Sequence, residues 1–342
     1  MVRLVLIFLA TLWINAGALA APAAKVLKVG IGLNADTPQG QGIQQFARLV
    51  EERSQGRIKI EFHPGGRLGD DVSMVEALRA GKQDMTCPDS STLARLVSDF
   101  SAINYPFTFL SAEEADRILD GQWGERLLAR LPQHGLIGLA FWENGFRHLT
   151  NSKRALPTLN DVTGIRMRTM QNEMLIDSFR QIGFEPVPMP FPKVYTALAG
   201  KVVDGQENPL PTIVSSRFYE VQPYLTLSQH VYSAFVLLIG KPTWDTLNPE
   251  DRRIIAESGR EAAQFQRRAN REATAAALGT LKAKGVQVAT IDVRESERVR
   301  NRLRPVLEQY NKRIGESTVL QMYVELSQLR MERGRYAAKP AP

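Results

Sequence analysis

The sequence predicts an α/β protein of two lobes, and three observations carry that prediction. Its 342 residues exceed what one ordinary core fills. Short apolar strands alternate with amphipathic helices in the first hundred residues, and the alternation returns from Gly164 onward. Asn248 and Pro249 then open a run that has no further proline before Gly285, the signature of one long helix.

In the first lobe, "KVLKVGIGL" (Lys25 to Leu33) alternates apolar and polar residues and reads as a strand. The next segment carries Ile43, Phe46, Ala47, Leu49 and Val50 at helical spacing and is stopped by Gly56. "IKIEFHP" is a second alternating strand. A helix capped by Asp70 or Asp71 follows and ends at Gly81, ahead of a strand near Met85. This pace argues for a parallel sheet, whose ligands sit at the carboxyl ends of the strands.

The second lobe repeats the plan with the strand "GIRMRTM" (Gly164 to Met170), the helix "NEMLIDSFRQIG", the segment "FEPVPMPFP" and the helix "KVYTALAGK". Asp204 to Pro209, "DGQENP", reads as a polar loop, either a tight connection or a ligand site, and "PTIVSSRFYEVQPYL" after it as helical. The long helix from Asn248 should be about 50 Å long at ~1.5 Å per residue, enough to run past both lobes. The tail "RGRYAAKPAP" is expected to be disordered.

Composition excludes several classes. With 44% apolar and 23% charged residues the chain is globular, neither fibrous nor disordered. Its 43 basic and 36 acidic residues give +7 in scattered charges without aromatic interleaving, which argues against nucleic acid and suits small anions. The single cysteine, Cys87, excludes an internal disulfide and reads as a small buried residue. His63, His134, His148 and His230 show no metal spacing, and "GIG" at Gly30 to Gly32 and "GGRLG" are incomplete nucleotide motifs. No enzyme motif, cofactor or metal site is expected. At the N-terminus Arg3, the apolar run Leu4 to Ile14 and Ala18 to Ala20 form a secretory signal over residues 1–20, with cleavage expected before Ala21.

Arg166 and Arg168 alternate on one strand and therefore share a face. They could be ordinary arginines of an exposed sheet, or one could aim its planar fork at a ligand carboxylate.

Several segments together, "PGGRLGDDVSMVEALRAGKQDM", "FWENGFRHLTNSKR", "DVTGIRMRTM", "PVPMPFPKVYTALAGKVVDGQENPL" and "SSRFYEVQPYLTLSQHVYS", resemble the solute-binding subunits of tripartite ATP-independent periplasmic (TRAP) transporters, of the dicarboxylate (DctP-like) type. The resemblance covers Lys25 to about Tyr310. It implies a two-lobe periplasmic clamp with hinge strands and one long helix spanning both lobes. Lobe I would comprise residues 25–144 and 234–272, lobe II 145–233 and 273–325, with a flexible tail at 326–342. The clamp would be a monomer that closes on a small organic acid anion and delivers it to membrane permease subunits.

Residue by residue, the resemblance puts Arg168 on the ligand carboxylate, Asn208 over the same group, Phe191 against the ligand and Arg147 in a second polar contact. It points to Asp89 or Ser90 for the far end of the ligand, with Thr37 and Gln39 as further candidates. Glu207 would organise its loop or pair with a nearby base. Pro192 and Lys193 replace the serine and acid common after the "PMPF" aromatic, and Cys87–Pro88 replace a usual small residue, so the ligand is not transferable from one relative. The alternatives are a periplasmic enzyme acting on an organic acid, an ATP-driven importer's binding protein, and the ligand-sensing partner of a signalling kinase.

Overall fold

The structure, a computed structural model, describes residues 24–337, the last five by backbone alone. The secretory segment 1–20 lies outside the described residues. The first lobe begins with β1 (Lys25–Gly30), α1 (Pro38–Arg53), β2 (Ile58–His63), α2 (Asp71–Arg79), β3 (Met85–Thr86), α3 (Ser90–Leu93), α4 (Ala112–Leu119) and α5 (Gln122–Leu128). The strand β4 (Leu136–Asn151) leads out of it. The second lobe is built from β5 (Arg166–Thr169), α6 (Glu173–Ile182), β6 (Glu185–Pro188), α7 (Val194–Ala199), β7 (Gly205–Pro209), α8 (Leu210–Ser215) and β8 (Tyr224–Leu227). The chain returns through β9 (Tyr232–Gly240), α9 (Lys241–Asp245) and α10 (Pro249–Ala283), then closes with β10 (Gln287–Thr290), α11 (Val293–Ile314) and α12 (Glu316–Ala337).

The strand order β2-β1-β3-β9-β4-β7-β5-β6 makes one continuous path across both lobes. The expected parallel pairing holds for β1 with β2 and β3, and for β5 with β6 and β7. Joining the halves is the 16-residue β4. It pairs with β9 up to Phe146, then exchanges that partner for β7 from Arg147 and β8 from Leu149. Register shifts at Gly138/Ala140 and Glu143/Gly145 bend the ladder just before the exchange, and Gly145 takes a φ of +109° that a side chain would strain.

Asn248 caps α10 by accepting from the Asp251 amide at 2.8 Å, and Pro249 stands at the first helical position where its missing N–H costs nothing. Over 35 residues the helix buries Ile255, Ala262 and Ala263 toward the first lobe and Ala277 and Leu281 toward the second. Midway, the Gln266 amide clasps both backbone groups of Glu143, at 2.9 and 2.7 Å. The long helix is thus fastened to β4 where that strand bends.

Two expectations are corrected. Residues 205–209 form β7 between β4 and β5, not a loop, and all five are buried. Each polar side chain of this strand finds a partner inside the fold, Gln206 at Thr150, Glu207 at Arg147 and Asn208 at both Gln206 and Arg147, which is what makes a polar strand tolerable there. "PTIVSSRFYEVQPYL" is helical only through α8; a 3-10 turn at Phe218–Glu220 and the strand β8 follow, because Pro223 cannot continue a helix and the side chains of Leu225 and Thr226 are buried in the sheet. From residue 326 the chain continues α12 to Ala337, and Met322 and Leu326 pack into the first lobe's core beside Trp123.

Candidate functional site

A cleft of about 630 Å³ of non-atom space, part of it open to solvent, lies between the lobes. One wall comes from the N-terminal ends of α1 and α2 and the β3–α3 loop, the other from β4, β5, the turn after β6 and β7. The lobes touch across it. Asn172 Nδ2 donates to the Ser91 carbonyl at 3.0 Å, and Gly66 sits so close to Pro192 that a Cβ there would lie 2.9 Å from its Cγ.

Arg168 is 3% exposed on β5. Its Nε and Nη2 both donate to the Met189 carbonyl, at 3.0 and 2.8 Å, which fixes the plane of the fork. Among the described residues it has no ion-pair partner within 4.0 Å. Burial lowers its pKa to about 10, with the Arg147 charge adding to that effect and the Glu207, Asp71 and Asp89 carboxylates opposing it. It remains a cation at neutral pH, buried at a cleft without a matched anion. Arg166, two residues earlier, is half exposed and paired with Asp204 at 2.9 Å, so the two arginines of the strand have separated roles.

Arg147 is fully buried where β4 changes partners. Its Nε and Nη2 grip the Glu207 carboxylate, Nη2 also reaches the Glu207 carbonyl at 2.7 Å and Asn208 Oδ1 at 3.1 Å, and Nη1 donates to Ser233 Oγ at 3.2 Å. Burial alone would lower the Arg147 pKa, but the Glu207 carboxylate overrides it and raises it. Glu207 is in turn held well below the ordinary carboxylate range, because Arg147 and His230, 3.6 Å away, outweigh the penalty of burial. Arg147 lines the cleft, yet its strongest partner is internal.

That partnership orients Asn208. With Oδ1 taken by Arg147 and one Nδ2 hydrogen given to Gln206 Oε1 at 2.5 Å, the second amide hydrogen is left for the cleft. Phe191, the first residue of a 3-10 turn, packs against Phe218 with centroids 6.1 Å apart and presents its remaining surface to the cleft.

On the first-lobe wall, Asp89 caps α3 by accepting from the Ser91 amide at 2.9 Å and takes the Asn144 amide, also at 2.9 Å, on its other oxygen. Gln39 Nε2 donates to the Cys87 carbonyl at 2.6 Å. Both line the cleft. Ser90 and Thr37 are not brought to it. Ser90 is fully buried with its hydroxyl 3.4 Å from Asn104 Oδ1. Thr37 caps α1, accepting from the Gly40 amide at 3.1 Å and donating to the Asn34 carbonyl at 2.7 Å.

Sequence reasoning missed Asp71 as a cleft residue. Asp70 takes the cap of α2, which leaves Asp71 to accept the Asp89 amide at 3.1 Å and face the cleft. The doubled acid at one helix start was the available signal, since only one of the two can be the cap. Asn144 was also missed, although it lies within the quoted "FWENGF" segment. Among the described residues no cluster of His, Cys, Asp or Glu could hold a metal ion, and no helix is long and apolar enough to cross a membrane.

Comparison with known proteins identifies the family and the fold. A family described as bacterial extracellular solute-binding protein, family 7 (DctP) matches residues 29–313. A solute-binding protein of Verminephrobacter eiseniae is 37% identical over 302 residues, 88% of this chain and 90% of its own length. The sugar acid binding protein of Advenella mimigardefordensis, solved in complex with galactonate, superposes with a TM-score of 0.87 at 39% identity, covering 89% of this chain and 98% of its own. A TRAP periplasmic solute-binding protein from Polaromonas, bound to D-erythronate, gives a TM-score of 0.84 at 35% identity over 87% of this chain and 98% of its own. These are transport proteins and not enzymes. With the two-lobe fold and the match over residues 29–313, the chain belongs to family 7 of the bacterial extracellular solute-binding proteins, the substrate-binding components of TRAP transporters.

Proposed function

We propose that this chain captures a small organic acid anion, a C4-dicarboxylate or a sugar acid, by clamping one carboxylate on Arg168, and then delivers it to membrane permease subunits. The observation that carries the reading is the buried Arg168 guanidinium, fixed by the Met189 carbonyl and lacking an ion-pair partner among the described residues. A planar carboxylate satisfies such a fork better than any uncharged group. Asn208 donates its spare amide hydrogen to the same group, while Arg147 and Glu207 hold Asn208 in place. Phe191 covers the apolar side of the ligand. The galactonate and D-erythronate complexes of the two relatives support the class of ligand.

Lobes of residues 25–144 with 234–272 and 316–337, and 145–233 with 273–315, would close by bending β4, β9 and α10, since α12 packs on the first lobe. The protein would act as a periplasmic monomer, exported by the signal at residues 1–20. Neither a signalling partner nor an enzyme finds a favouring feature in the cleft.

Thermal denaturation of ligand-stripped protein against a panel of organic acids tests the clamp. An acid at a hundredfold excess over its Kd adds about 2.7 kcal/mol to stability. The shift should vanish in Arg168→Ala and shrink in Arg168→Lys, whose point charge lacks the fork. Undiminished shifts in Arg168→Ala would sink the assignment.

A further inference from the structure

A second cavity lies apart from the cleft and shares none of its lining residues. It holds about 420 Å³ of non-atom space, part of it open to solvent, between the second-lobe core and the start of α11. Leu149, Val162, Phe179 and Phe184 line it, and Phe107 joins them from the first lobe. Apolar space on this scale suits a single ring. In another protein an apolar cavity of about 150 Å³ stays dry and takes up benzene.

The few polar groups in the cavity define what the ring must carry. Ser228 Oγ and His230 Nδ1 share a hydrogen bond of 2.7 Å. Whichever of the two donates, Ser228 Oγ keeps at least one lone pair, so a hydroxyl on the occupant finds an acceptor there. A carboxylate would instead meet the buried Glu295 as a like charge. An ammonium would find Glu295 already taken by the Leu159 amide and by Arg298, and would exchange water for apolar walls. An uncharged ring with one hydroxyl, a phenol, answers both the walls and the acceptor.

The backbone around the cavity is strained. Five non-glycine residues among those described have a positive φ, and two of them meet here: Phe107 at +55°, and Gln229, between Ser228 and His230, at +45°. The Phe107 amide donates to the His230 carbonyl at 2.9 Å, which joins the two strained points. Strain of this kind concentrates at ligand sites and switches.

The cavity also has a route to the cleft. His230 stands edge-on to Phe179, with ring centroids 5.7 Å apart. Its Nε2 is buried without a hydrogen bond, 3.6 Å from Glu207 Oε2. Glu207 grips Arg147, and Arg147 holds Asn208 Oδ1 at the cleft. A ring packed on Phe179 and His230 need move Nε2 only about half an ångström to complete a hydrogen bond to Glu207.

We propose that this cavity is an effector site for a small phenol, whose occupancy is transmitted through His230, Glu207 and Arg147 to Asn208. Solution NMR of the 15N-labelled mature protein, titrated with phenol itself, tests it. Phenol should shift the His230 ring nitrogens and the Phe179 amide saturably, and the Arg147 Nε and Asn208 amide signals should follow with the same midpoint. Benzoate and benzylamine should need at least tenfold higher concentrations to move the Phe179 and His230 signals.

Leu159→Trp and Ile182→Phe, at two half-buried wall positions on different elements, fill the cavity and should each abolish the response. Having two variants guards against one failing to fold. A response unchanged in both, or shifts confined to Gln39, Arg168 and Phe191, would place phenol elsewhere and overturn the site. Shifts at Phe179 and His230 without any at Arg147 or Asn208 would overturn the transmission. No saturable response from folded protein would overturn both.

Discussion

Replacing Glu207 with alanine should destabilise the ligand-free protein by about 3 kcal/mol. The arithmetic starts from the pair itself: Arg147 is 0% and Glu207 2% exposed, so neither charge has water to fall back on. Removing one partner of a buried ion pair costs about 3–5 kcal/mol, because the survivor is left charged and desolvated. Arg147 would keep Asn208 Oδ1 at 3.1 Å and Ser233 Oγ at 3.2 Å, besides the backbone carbonyl of residue 207, which places the cost at the lower end. With an unfolding entropy of about 2.1 cal/mol/K per residue, that loss lowers Tm by about 4 °C. The double variant Arg147→Met/Glu207→Leu should recover most of it, since a neutral pair of similar volume leaves no buried charge. Urea unfolding and thermal melts of the three proteins read both effects. A Glu207→Ala variant within about 1 kcal/mol of wild type, or a double variant as unstable as the single, would refute the reasoning.

Three further outcomes are expected. Arg168→Met removes a buried cation without an ion pair, so it should leave the ligand-free Tm unchanged or raise it by about 1–2 °C while abolishing carboxylate binding; a fall of several degrees in melts would mean Arg168 is structural. Asp71, raised to about 7 by burial and its acidic neighbours from 3.8, keeps a proton in the fold that the unfolded chain has released by neutral pH. Its contribution is complete below pH ~4 and lost as pH rises through about 7, so wild type should lose stability relative to Asp71→Asn across that window, and parallel pH profiles would contradict it. Asn172→Ser keeps a hydroxyl able to cap the helix at the Leu175 amide, now capped at 3.1 Å, but loses the donation to Ser91 across the lobes. Stopped-flow should show about tenfold faster ligand release with an unchanged on-rate, as one hydrogen bond of about 1–1.5 kcal/mol requires.

The elements legible in the sequence are those whose signals are local. The β1–α1–β2–α2 series shows its period within each segment, and α10 declares its start in Asn248 and Pro249 and its end near Gly285, whose φ is +83°. The strand β7 was illegible because its polar residues are answered from elsewhere in the chain. Glu207 finds Arg147 sixty positions away, and Gln206 reaches Thr150 at 2.8 Å. Taken alone, Glu207 reads as a loop organiser with an unnamed basic partner, and the resemblance puts Arg147 in a polar contact with the ligand; the fold pairs the two while Arg147 still lines the cleft. Gln39 was legible as a candidate, but the direction of its amide depends on the carbonyl of Cys87, 48 residues on. The helices α11 and α12 are not legible because α11 is largely charged and α12 carries apolar residues on exposed as well as buried faces, Leu320 and Met331 against Met322 and Leu326, so neither shows one clean apolar stripe.

The lone charge of Arg168 also bears on how a membrane partner could tell a loaded clamp from an empty one. Shut without cargo, the protein would bury a guanidinium with no anion to answer it, and that penalty favours reopening. Shut with cargo on the proposed clamp, the same group would become the strongest contact in the cleft. On that clamp the closed outline would be a credible token of occupancy. A permease that recognised only that outline would need no means of inspecting the contents, because the error of delivering nothing would be suppressed inside the carrier before the two proteins met.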